Sequence, residues 1–171
     1  MNGWFAQDPD LDPTEESRRF LTALREHAAG WPCDPEDTYA SFEVFEHRTE
    51  LLVTLYLYDG EHHLLTVGAF LTGAGTRLSG GEFHDQLYTL EQHPETLIEA
   101  RGTPEHLAER AAEWFLRMAA LPVLRNEFAV GGRVVNRQWV LAGSGRELTA
   151  RFRVQPGDPL ARTVRVRGGS A

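Results

Sequence analysis

From Leu51 to Leu71 the chain alternates with a period of two on both sides of an Asp-Gly pair. Leu51, Val53, Leu55 and Leu57 share one side of the first run; Leu52, Thr54, Tyr56 and Tyr58 share the other. In the second run Leu65, Val67, Ala69 and Leu71 alternate with Leu64, Thr66, Gly68 and Phe70. Two such runs around Asp59-Gly60 predict a β-hairpin with a type I′ turn, which needs positive φ at both central residues. Both strands are apolar on both faces, so each face of their sheet is expected to be covered, by helices.

The pattern changes to a helical one on either side. Asp12-Pro13-Thr14-Glu15 reads as a helix start, with Asp12 as cap, Pro13 in the first turn and Glu15 in the capping-box position. Phe20, Leu21, Leu24 and Ala28 then form one stripe, and Gly30 with Trp31-Pro32 ends it. Phe42 to His47 reads as a strand that turns into the Leu51 run, giving a three-stranded meander. Thr72 to Gly75 is loop, and Thr76 to Leu78 adds a short strand. Ser79-Gly80-Gly81-Glu82 fits a capping box, and Phe83, Leu87 and Leu90 follow helical spacing, so a helix ending near His93-Pro94 is expected; Gln86 to Leu90 also satisfies a strand. Thr103-Pro104-Glu105 opens a second helix whose stripe is Leu107, Ala111, Trp114, Phe115 and Met118, stopped by Pro122. Val123 to Val130 and Val134 to Leu141 form a hairpin around Gly131-Gly132, and Leu148 to Val154 is a last strand.

These elements predict an α+β protein: an antiparallel sheet, made of the three-stranded meander plus the C-terminal hairpin, with two or three helices packed on it. Residues 1–154 are expected to form a single domain, and 155–171 a loose tail rich in Pro, Gly and Arg apart from Thr163 to Arg167. The Trp4-Phe5 pair is expected either to staple onto the fold or to dock on another chain. In its Ala-Ala-Glu-Trp-Phe helix, its junction Leu121-Pro122-Val123-Leu124-Arg125-Asn126-Glu127 and its Trp139-Val140-Leu141-Ala142-x-x-Gly145 strand, the chain resembles a family of small uncharacterised actinomycete proteins. The resemblance covers the C-terminal half and implies no activity. The element order also resembles that of YbjN-like proteins and of the small dimeric chaperones of type III secretion.

Composition narrows the class of function. All 17 basic residues are arginine, a skew that fits high-GC, actinobacterial coding. Residues 1–100 hold 5 arginines against 19 acids and residues 101–171 hold 12 against 6, so the halves carry −14 and +6. Such a division suits either a surface for an acidic partner or two regions that attract each other. A net charge of −8 argues against nucleic-acid binding. No apolar run approaches the roughly 18 residues needed to cross a bilayer, and no basic segment leads into an apolar one at the N-terminus, so neither a membrane nor a secretory signal is expected and the cytoplasm is the default. The single cysteine, Cys33, agrees with a reducing compartment.

Two clusters carry candidate chemistry. Arg133, Arg137, Arg151 and Arg153 are expected on the outer face of the last strands, with Trp139 in register with Arg133 and Arg137; arginine with tryptophan is the composition of interface hot spots. The alternative is a divalent-metal site drawing on His62, His63, Glu82, His84 and Asp85, although no His-Glu-x-x-His or paired-cysteine pattern accompanies them. Gly143-Ser144-Gly145 lacks the strand–elbow–helix setting of a serine nucleophile, and the glycines at 73, 75, 80 and 81 have no basic residue to hold a phosphate. The expected function is a non-enzymatic protein-interaction module, homodimeric, without cofactor, acting as an adaptor or as a chaperone-like or immunity-like factor. The alternative is a small metal-assisted hydrolase or ligand-binding enzyme.

Overall fold

The computed structural model describes residues 3–7, 13–45, 48–84, 86–150, 155 and 157–168. Its fold is α+β, with two helices and mostly antiparallel sheets. Contacts divide the chain into two compact units, residues 1–57 with 66–118 and residues 58–65 with 119–171.

In the first unit, β1 (Ala6–Gln7) pairs in parallel with β2 (Thr38–Phe45), which is followed across the sheet by β3 (Arg48–Asp59), β4 (His62–Thr72), β5 (Arg77–His84) and β6 (Thr89–Glu91). The seventh strand, β7 (Ile98–Arg101), also pairs with β5. Helix α1 (Glu15–Ala28) buries Phe20, Leu21, Leu24 and Ala28, the stripe read from the sequence. Its cap is Thr14, whose hydroxyl accepts a hydrogen bond from the Ser17 amide; Asp12 lies outside the described residues. Helix α2 (Pro104–Ala119) buries Leu107, Ala111, Trp114, Phe115 and Met118, and Thr103 accepts from the His106 amide at its start. The two helices are tied by a bidentate pair, Arg19 to Glu105, at 2.7 and 3.0 Å.

The Trp4-Phe5 pair staples onto its own fold. Phe5 is fully buried, its amide donates to Thr38 Oγ1 at 2.8 Å, and its ring lies against Trp31 and Phe115. Residues 51–55 and 64–71 are buried without interruption, as expected of strands covered on both faces. Their turn differs in detail. Asp59 ends β3, and the two-residue loop is Gly60-Glu61 with positive φ (60°) at Gly60 only, so the turn is of the glycine-first kind and not type I′.

The largest departure lies at residues 79–100. The helix expected from the capping-box pattern is absent, and the segment supplies most of β5, then β6 and most of β7. Phe83 and Leu90, which matched helical spacing, are direct cross-strand partners, and both pack with Leu52 and Phe70. Gly80 and Gly81 serve close approach between strands. A Cβ on Gly80 would stand 2.7 Å from Ile98 Cγ2 and 2.8 Å from the Gly68 carbonyl oxygen; one on Gly81 would stand 2.8 Å from the Glu91 carbonyl oxygen. Gly80→Ala is therefore expected to destabilise the protein by about 1–3 kcal/mol through overpacking, read from thermal denaturation. A melting temperature equal to that of the parent would contradict the close packing of β5.

The second unit is a four-stranded antiparallel sheet in the order β10 (Glu147–Ala150), β9 (Arg133–Leu141), β8 (Val123–Val130), β11 (Leu160–Arg167). The whole of 160–167 is thus a paired strand, wider than the Thr163 to Arg167 segment set apart in the tail. The core of this unit joins Leu64, from the tip of the β3–β4 hairpin, to Val123, Trp139 and Leu141, with Leu121, Leu148 and Val166 against them. No described helix is long and apolar enough to cross a membrane.

Candidate functional site

The second unit gathers charge around one buried carboxylate. Glu127 lies in the middle of β8, directly opposite Arg137 on β9 and directly opposite Arg162 on β11. Arg125, two residues earlier, projects from the same face. Only 1% of the Glu127 side chain is exposed, and three guanidinium groups reach it: Arg162 Nε at 2.6 Å, Arg125 Nε at 3.1 Å and Arg137 Nε at 3.5 Å. Arg125 also donates through Nη1 to Asp59 Oδ2 at 2.6 Å, and Trp139 Nε1 donates to the same oxygen at 2.8 Å. The His62 ring stacks on Trp139 with centroids 3.9 Å apart and planes 16° from parallel.

These contacts shift both acids in one direction. The hydrogen bond from Arg162 holds the Glu127 carboxyl below its ordinary value against the cost of burial, and the charges of Arg162, Arg125 and Arg137 add to it. At Asp59 burial alone would raise the value. The hydrogen bonds from Trp139 and Arg125, with the charges of Arg125 and His62, outweigh it and leave the carboxyl depressed. Three arginines against two carboxylates leave one positive charge in excess, and Arg162 and Arg137 are 65% and 39% exposed. The arrangement is a cation-rich sheet face pinned from beneath by an anion.

The partner-binding set expected from the sequence is redistributed. Trp139 is 3% exposed and belongs to the core of the second unit. Arg137 shares its face, as expected, but is engaged by Glu127. Arg133 does not share that face. Phe128 pairs with Asn136 and Ala129 with Val134, so Val135 is an extra residue that reverses the alternation beyond it. Arg133 therefore joins Asn126, Gln138 and Arg165 on the opposite face, where Thr163 donates to Asn126, Asn126 to Gln138 and Gln138 to Glu147 in one polar ladder across all four strands. Arg151 and Arg153 lie outside the described residues.

The expected metal set is divided between the two units. His62 and His63 belong to the second unit, where His63 stands edge-on to Tyr58; Glu82 and His84 belong to the first. His84 is exposed at the end of β5, and Asp85 lies outside the described residues. Among the described residues, the one group of three or more whose ligand atoms lie within 4.8 Å of one another is Glu82, Glu91 and His93. Glu91 and His93 escaped the sequence reading because a helix over 79–93 hides that Glu82 and Glu91 oppose each other across two strands. Glu127 escaped it because its arginines come from three strands; the only hint was a single acid between Arg125 and Arg133. Ser144 sits in the turn between β9 and β10, where its hydroxyl accepts from the Arg146 amide.

Comparison with known proteins gives no family: no protein-family model, no curated protein and no solved structure matches this chain.

Proposed function

We propose that the protein is a non-enzymatic, homodimeric protein-interaction module, acting as an adaptor or as a chaperone-like or immunity-like factor, and that the face of the β8–β11 sheet carrying Arg133 and Arg165 is its contact surface. The observation that carries this reading is the distribution of charge between the two units. The unit of residues 58–65 and 119–171 holds nine arginines against five acids, a balance of +4; the other holds eight against twenty, a balance of −12. A second copy is thus an acidic partner for the basic sheet, and two-fold symmetry makes the contact twice. Arg133 and Arg165 are exposed on that face, and Val130, directly opposite Arg133, is 60% exposed.

Exposed charge of this kind acts on association and is screened by salt within roughly 10 Å at 0.1 M. Sedimentation velocity of the full chain is expected to show a dimer at low salt that dissociates as salt rises. The double variant Arg133→Glu/Arg165→Glu should weaken the dimer at least tenfold with little change in melting temperature, since neither residue is tied to Glu127. A monomer at every salt concentration, or a variant that associates like the parent, would end this reading. Arg137 is unsuited to the test, because reversing it places a second carboxylate against Glu127.

A further inference from the structure

We propose that Glu82, Glu91 and His93 form a binding site for one divalent transition-metal ion of the zinc class. Glu82 on β5 and Glu91 on β6 are direct cross-strand partners, so two carboxylates face each other where like charges repel. His93 closes the group: its Nε2 lies 3.2 Å from Glu91 Oε2 and 4.0 Å from Glu82 Oε2. Metal–ligand bonds of about 2.0–2.2 Å set neighbouring ligand atoms roughly 3–3.5 Å apart, so small side-chain adjustments bring all three onto one ion. One imidazole with two carboxylates suits zinc or manganese better than calcium or magnesium, which favour oxygen-only sets.

The three positions are held by backbone that the protein fixes independently. Glu82 and Glu91 stand on paired strands. His93 begins a turn whose carbonyl accepts from both the amide and the hydroxyl of Thr96, at 2.9 and 3.2 Å. Thr96 is fully buried, and its own carbonyl accepts from Trp114 Nε1 at 3.0 Å, which fastens the turn to α2. Glu82 is 19% exposed and His93 31%, so the group opens to solvent and leaves positions for water or a ligand on the ion.

The test is calorimetric titration of the full chain, stripped with chelator, with zinc chloride, paired with melting curves with and without zinc. The expected result is one zinc per chain and a zinc-dependent rise in melting temperature. His93→Ala and Glu82→Gln should each weaken zinc binding at least roughly tenfold. His84→Ala and His63→Ala should bind zinc like the parent. Absence of saturable zinc binding, or equal binding by parent and His93→Ala, would overturn the proposal. So would a Glu82→Gln protein destabilised equally with and without zinc, which would make the group an ion pair and nothing more.

Discussion

Glu127→Ala is expected to destabilise the protein by about 3–5 kcal/mol, the usual consequence of removing one partner of a buried ionic group. The carboxylate is 1% exposed and holds three guanidinium groups; without it Arg125, Arg137 and Arg162 face one another across three strands. For a chain of this length the loss corresponds to a fall in melting temperature on the order of 10 °C. Glu127→Gln keeps the shape and one acceptor but not the charge, and should fall between the alanine variant and the parent. The same group sets the response to acid. Its folded-state value lies below the ordinary carboxyl value of 4.5, so its contribution is complete above that pH and is lost as pH falls through the lower folded value. Asp59 acts with the same sign. Acid titration of stability should therefore be steep below about pH 4.5 in the parent and shallower in Glu127→Ala. An alanine variant as stable as the parent would show that the sheet does not depend on this anion.

Trp139→Ala is expected to lose about 3–5 kcal/mol, as large-to-small changes of buried aromatic residues do. The ring is 3% exposed, packs with Leu64, Val123 and Leu141, stacks on His62 and donates to Asp59. Trp139→Phe separates these roles. It keeps most of the packing but leaves Asp59 with Arg125 alone, a loss of about 1–2 kcal/mol. Chemical denaturation of the three proteins measures both steps. If Trp139→Ala left stability unchanged and reduced only association, the residue would be the surface hot spot its neighbours in sequence suggested.

The contrast at Trp139 shows where sequence patterns carry and where they stop. The meander, both helices and the Val123 to Leu141 hairpin follow from periodicity and capping residues, which are local and survive in a single chain. Phe83 and Leu90 misled because three- and four-residue spacings also occur across a tight hairpin; what decides is that Gly80 and Gly81 have no room for a side chain, a fact about neighbours far along the chain. Strict alternation puts Arg133 on the face of Arg137, and one extra residue at Val135 reverses it. Glu127 depends on Arg162, 35 residues away, and Asp59 on Trp139, 80 residues away, so no window of sequence contains either group. The basic character of the C-terminal half was visible from composition alone. Its division between the face around Glu127 and the face of Arg133 and Arg165 was not.

Native mass spectrometry of the untagged, chelator-free chain at low and high ammonium acetate reads the oligomeric state itself. A dimer is expected at low salt, giving way to monomer as salt rises. A monomer under both conditions would contradict it.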